Sequence, residues 1–171
     1  MARFVSVDDF KVGKLKLSTT NFKEDDLQSV IDEVEPSILI EMLGAALYSE
    51  FIADWDAVPI NQFSEDRFQK IYYPFFLDFD YATVTSVGIK EMLMYFIYFE
   101  YIRIQAFQNR VTGTKQTKTE NSQIAGFSKQ GLFNTLNIGV DNYDSIQYYI
   151  NDKSSDYPEF NGHKKGKTSW I

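Results

Sequence analysis

The run Lys90-Glu91-Met92-Leu93-Met94-Tyr95-Phe96-Ile97-Tyr98-Phe99-Glu100-Tyr101-Ile102-Arg103 decides how the rest of the chain is read. Its apolar centre, Met92 to Phe99, is bounded by charge at both ends and is far shorter than the ~20 apolar residues that a membrane span requires. The helical pattern extends from Ser86 to about Val111, with aromatic side chains at Tyr95, Phe96, Tyr98, Phe99, Tyr101 and Phe107. A helix that is apolar on every side must be covered on every side, by its own domain or by a neighbouring subunit. The run therefore predicts a buried central helix with other helices packed around it.

Upstream, Asn21 followed by Glu24 has the look of a helix start, and Leu27, Val30, Ile31 and Val34 form one helical stripe. Pro36 disfavours helix at Glu35 and suits the first turn of a new one, so two helices are predicted to meet at Glu35–Pro36. The second continues through Leu39, Met42, Leu43, Ala46, Leu47 and Phe51. The stretch Asp54 to Asn61, with Trp55 and Pro59, predicts a loop. Ser64-Glu65-Asp66 then opens a third helix that Pro74 ends or kinks. Downstream, Leu132, Leu136, Gly139, Tyr143, Ile146 and Ile150 step by helical intervals, which predicts a last helix ending near Asp152. Residues 112–123 are polar and include Lys115 and Lys118, a solvated or docking loop.

The ends differ from the middle. Residues 1–20 carry no helical period and read as an extended N-terminal arm or short hairpin. Residues 154–171 hold Pro158, Gly162, Gly166, three lysines and a terminal Trp170-Ile171, and read as an extended C-terminal tail. The expected organisation is a mainly α, antiparallel helical bundle over 21–153 between two extended arms, each tied down by contacts.

Composition narrows the function. A length of 171 residues, 44% of them hydrophobic, suffices for one core without staples. With no cysteine, thiol catalysis, thiolate metal sites and disulfides are excluded. The net charge of −7 and sequence pI of about 4.7 argue against a general phosphate-backbone binder. The N-terminus lacks the apolar core of a secretory signal, so synthesis in a cytoplasm is expected, with no membrane partner.

Catalytic chemistry finds little footing. The single histidine, His163, lies in the tail, outside every predicted helix, so a di-iron Glu-x-x-His bundle or a Ser-His-Asp site has no support. Gly113-Thr114-Lys115 lacks the strand and glycine spacing of a phosphate loop. Glu100 and Arg103 read first as an internal ion pair, then as a subunit contact, and last as a catalytic dyad. Tyr143, Tyr148 and Tyr149 have acidic neighbours, which favours packing over base stacking. No enzyme, cofactor or metal is expected. The basic and aromatic tail residues Tyr157, Phe160, His163, Lys164, Lys165, Lys167 and Trp170, with Lys115 and Lys118, are the candidate protein-interface residues.

Several stretches carry a resemblance. They are Glu35-Pro36-Ser37 through Leu43-Gly44 to Leu47-Tyr48, Gly88-Ile89-Lys90-Glu91-Met92-Leu93 through Tyr98 to Arg103, Thr119-Glu120-Asn121-Ser122, Asp141-Asn142-Tyr143, and Tyr157-Pro158-Glu159-Phe160-Asn161-Gly162. Together they resemble the head-to-tail connector, or adaptor, proteins of tailed phages and prophages of Bacteroides-like bacteria. The resemblance implies a virion subunit assembled in the host cytoplasm. Its copies would form a ring, dodecameric by the same resemblance, between the portal protein and the next neck or tail protein, with DNA only as transiting cargo. A closed ring needs two different complementary faces on each subunit, and an acidic conduit would not retard phosphates. On this expectation, residues 1–20, 112–123 and 157–171 engage neighbours, and removing everything after Asp156 leaves the helices folded. The rival expectation is a cytoplasmic helical binding module that takes a partner peptide in an apolar groove.

Overall fold

The run Met92–Phe99 forms the middle of a helix, α3 (Gly88–Val111), and the chain covers it from within. Met92, Leu93, Tyr95, Phe96, Ile97 and Phe99 are buried, while Met94 and Tyr98 are half-buried against the same core. The computed structural model describes residues 4–17, 23–57, 62–79, 82–111 and 129–162. Among these, α3 packs on α1 (Glu24–Ala57) and on α4 (Lys129–Asp152), and a short helix α2 (Asp66–Tyr72) adds to the bundle. The expectation of a mainly α bundle holds. In α4 the predicted stripe faces the core, with Leu136, Gly139, Tyr143, Ile146 and Ile150 buried and Leu132 half-buried, and the helix ends at Asp152 as the period required.

The break expected at Glu35–Pro36 is not there. Helix α1 runs straight through Pro36 and kinks at Gly44 instead. A proline inside a helix removes one backbone donor, and here it does so on the exposed side of α1, where Asp32, four residues earlier, faces solvent. Gly44 adopts φ 77° and ψ 158°, a backbone region open to glycine and costly to any residue with a Cβ. The kink interrupts the hydrogen-bond ladder in mid-core, and the fully buried Gln147 of α4 answers it, its Nε2 donating to the Met42 carbonyl at 2.8 Å. The apolar register survives the kink at Leu39, Met42, Leu43, Leu47 and Phe51, but Ala46 turns outward. One stretch of α1 is long and apolar enough to cross a membrane by length and composition alone, with 39% of that stretch buried inside the fold; Leu39, Met42, Leu43, Leu47 and Phe51 are fully enclosed by the chain's own core.

Of the loop expected over Asp54–Asn61, residues 54–57 belong instead to α1, with Asp54 and Trp55 buried, and residues 58–61 lie outside the described residues. Asp54 is kept in the helix because it caps the next one. Its carboxylate accepts from the backbone N–H of Ser64 (3.0 Å) and Glu65 (3.1 Å) and from the Ser64 hydroxyl. Those groups open α2, whose own N-cap residue, Glu65, makes no side-chain cap bond. Trp55 joins Phe4, Phe51, Phe63, Phe68 and Tyr72 in an aromatic cluster with centroid separations of 4.4 Å for Phe51–Phe63 and 4.8 Å for Trp55–Phe63.

The N-terminal segment is part of this core, not an arm standing away from it. Phe4, Val5, Phe10, Leu15 and Leu17 are buried. The buried Glu35 carboxylate accepts from the backbone N–H of Phe4 (3.2 Å) and Val5 (3.0 Å). A 3-10 turn at Val7–Phe10 then folds the segment back, and the Leu17 N–H donates to the Phe10 carbonyl. Asn21, proposed as a helix start, lies outside the described residues.

Between α2 and α3 the chain forms an antiparallel hairpin, β1 (Phe75–Phe79) and β2 (Ala82–Ser86), for which the sequence reading made no provision. Its connection to α3 demands glycine. At Gly88 φ is +83°, and a Cβ would lie 2.3 Å from the Tyr72 carbonyl oxygen.

The N-terminal segment is also bolted to α3 by Asp9, which accepts from the Ser6 N–H (2.8 Å) and hydroxyl (2.9 Å) and pairs with Lys90 at 2.8 Å. Partial burial works against the Asp9 carboxylate, but Lys90 and Ser6 outweigh it and hold its pKa below the ordinary value of 3.8. A depressed folded-state pKa adds stability above the unfolded pKa and loses it as pH falls through the folded one. Urea midpoints measured as the pH falls through and below 3.8 are therefore expected to drop more steeply for the wild type than for Asp9→Asn, which lacks this contribution; parallel curves would remove Asp9 from the account.

Candidate functional site

Among the described residues no group of three or more His, Asp or Glu side chains is placed to hold a metal ion. Glu100 and Arg103 form a two-point ion pair along α3, with Nε–Oε2 at 2.9 Å and Nη2–Oε1 at 2.5 Å. That is the first of the readings given to them. Tyr143 is buried edge-on to Phe96, and Tyr149 packs on Phe75 and Tyr157, so two of the three tyrosines are core residues. Tyr148 alone is exposed.

Of the nine candidate interface residues, two fall in the described part of the chain. Tyr157 is 1% exposed. Its hydroxyl donates to the Arg67 carbonyl at 2.5 Å, and burial first, then the charges of Tyr149 and Asp156, pushes its pKa far above the usual tyrosine value. It is an anchor to the chain's own core, so a neighbour cannot reach its ring as the interface reading required. Phe160 is half-buried against the same core. Lys115, Lys118, His163, Lys164, Lys165, Lys167 and Trp170 lie outside the described residues, as does the whole of the 112–123 loop.

Arg67 is the second half of the anchor. Its guanidinium donates to the Glu159 carboxylate (2.9 Å), the Asp156 carbonyl (3.0 Å) and Glu65 (2.5 Å), and stacks 4.4 Å over the Phe68 ring. Burial opposes its charge, yet Glu65 and Glu159 more than offset this and keep its pKa above the ordinary value. The backbone from Tyr157 to Phe160 is thereby fixed to α2, and the chain leaves this anchor at Gly162.

A different feature offers a surface for binding. An open cleft of about 470 Å³ runs between the outer edge of β2, Thr83 to Val87, and Ile138, Asp141, Asn142 and Ser145 of α4. The face of the hairpin with Phe75, Val84 and Ser86 lies on α4, and the opposite face, with Phe76, Asp78, Thr83 and Thr85, is solvated. Because two residues separate the paired Phe79 and Ala82, the pairs 79–82, 77–84 and 75–86 carry the ladder bonds. The N–H and C=O of Thr83 and Thr85 consequently point away from β1, along the strand edge that borders the cleft. Val87 continues that edge, and its N–H is met by Asn142 Oδ1 at 2.8 Å, while Asn142 Nδ2 donates to the Ile138 carbonyl. The alternation Thr83-Val84-Thr85-Ser86-Val87 was the available sequence signal for this strand.

Comparison of the chain with protein-family models, with curated proteins and with solved structures found no match in any of the three.

The tail expectation that removal of everything after Asp156 spares the helices does not fit this geometry, since it would strip Tyr157 from the core. Tyr157→Phe is expected to cost about 1 kcal/mol by removing the hydroxyl's bond to the Arg67 carbonyl. Tyr157→Ala is expected to cost about 3–5 kcal/mol through the cavity it leaves. Chemical denaturation of the two variants checks both values, and unchanged midpoints would show that Tyr157 does not anchor the tail.

Proposed function

We propose that this chain is a non-enzymatic structural subunit of a phage head-to-tail connector ring, bridging the portal protein to the next neck component around the DNA conduit. The observation that supports the reading is where the resembling stretches fall in the fold. Glu35-Pro36-Ser37 holds the N-terminal segment, Gly88 starts the central helix where no side chain fits, Asn142 clamps the hairpin, and Tyr157 to Gly162 carries the anchor on Arg67. Four of the five resembling stretches thus include residues that make the packing, while Thr119–Ser122 lies outside the described residues.

The mechanism is assembly. The helices and both anchored ends form one wedge, and ring closure needs a socket and a complementary projection on every copy. The rival binding-module reading is favoured by one observation, the open cleft beside β2. The two diverge in the partner that they require.

Native mass spectrometry of the chain, alone and mixed with the portal protein of the same particle, separates them. The connector reading expects the 19.9 kDa chain to join portal rings in a fixed whole-number ratio. Continued indifference to the portal would leave the peptide-binding module as the better account.

A further inference from the structure

We infer that the cleft between β2 and α4 is a strand-acceptor site, and that its occupant is the C-terminal segment, residues 163–171, of a second copy of this chain. The choice of occupant rests on the ring reading above; the site itself rests on the cleft.

The strand edge supplies the first argument. Thr83 and Thr85 turn their backbone donors and acceptors outward, and among the described residues no hydrogen bond reaches them. An unpaired edge of this kind is a template for an added strand. Asn142 already acts as a substitute partner for the next outward group, the Val87 N–H, which fixes one end of the site and leaves the other end open. The solvated face of the hairpin, with Thr83 Oγ1 bonded to Asp78, does not close over this edge.

The second argument is complementarity. Asp141 stands in the cleft, and among the described residues no cation pairs with it. Ile138 beside it is an apolar side chain 42% exposed. The segment His163-Lys164-Lys165-Gly166-Lys167-Thr168-Ser169-Trp170-Ile171 combines three lysines with an apolar end. It lies outside the described residues, and it is the part of the chain that follows the anchor at Gly162. Extended, nine residues reach about 30 Å, against about 17 Å for a five-residue strand such as β2, so the segment is long enough to leave one copy and line the edge of another. A socket and a projection on one chain are the two unlike faces that a head-to-tail contact requires.

The absence of cysteine makes a clean test possible. Full-length Thr85→Cys and full-length Ser169→Cys would be mixed at high concentration under mild oxidation, with Glu33→Cys, on the exposed face of α1, replacing Thr85→Cys as the collision control. The expected result is a mixed disulfide dimer of Thr85→Cys with Ser169→Cys well above the Glu33→Cys control, falling several-fold when Asp141→Lys is added to the Thr85→Cys copy. Thr85→Pro removes an outward N–H without touching a ladder bond, so in a Thr83→Cys background it is expected to suppress the cross-link while circular dichroism stays unchanged. A yield no greater than the control overturns the proposal. So does a disulfide that forms only inside one chain carrying both cysteines, which would make the segment its own chain's occupant. A chain that joins portal rings yet fails this test sinks the cleft contact alone, whereas a chain that cross-links and ignores the portal sinks the ring reading alone.

Discussion

A single buried carboxylate, that of Glu35, carries the N-terminal segment of this protein. It accepts from two successive backbone N–H groups, those of Phe4 and Val5, which lie outside any helix or strand. Burying such donors without a partner costs about 1–3 kcal/mol each, and burying the glutamate unpartnered would cost more. Each side therefore needs the other. Once the two amides are seated, Phe4 lies among Phe51, Trp55, Phe63 and Tyr72. The apolar cluster and the polar contact then enforce one position for the segment.

Similar side-chain-to-backbone bonds recur at four other places in the fold. Gln147 answers the Met42 carbonyl near the Gly44 kink, Asp54 caps α2 from the end of α1, Asn142 takes the Val87 N–H where β2 gives way to α3, and Tyr157 bonds the Arg67 carbonyl. In each case a side chain from one part of the chain bonds the backbone of another. Irregular junctions become rigid in this way, and rigidity is what a subunit needs if its shape is to set the angle between neighbours.

Much of this was legible in the sequence where periodicity carried it. The stripe Leu136, Gly139, Tyr143, Ile146 and Ile150 fixed α4 and its buried face, and the run at Met92–Phe99 identified the central helix. What escaped has a physical reason in each case. Proline at 36 is a local signal that tertiary packing overrode, with the break moved to Gly44, whose backbone conformation is invisible to a hydropathy pattern. Asp54 and Trp55 read as loop residues because a capping carboxylate and an amphipathic ring look the same in a loop as at a helix end. The hairpin is short, its inner face is apolar on β1 and mixed on β2, and Phe76 breaks the alternation by standing exposed. Tyr157 had the composition of an interface hot spot, and only its hydrogen bond to Arg67 and its burial show that the interface is with its own chain.

If the chain works as a rigid wedge, its N-terminal segment must be closed onto the core before any partner arrives, and the Glu35 contact is where that is decided. The most direct measurement is amide hydrogen exchange on the isolated chain at neutral pH, read at Phe4 and Val5 against the central turns of α3. The account predicts that these two amides exchange as slowly as those of Met92 to Phe99, opening only with the whole fold. Rapid exchange at Phe4 and Val5 beside a protected α3 would contradict it, and would make the N-terminal segment an arm after all.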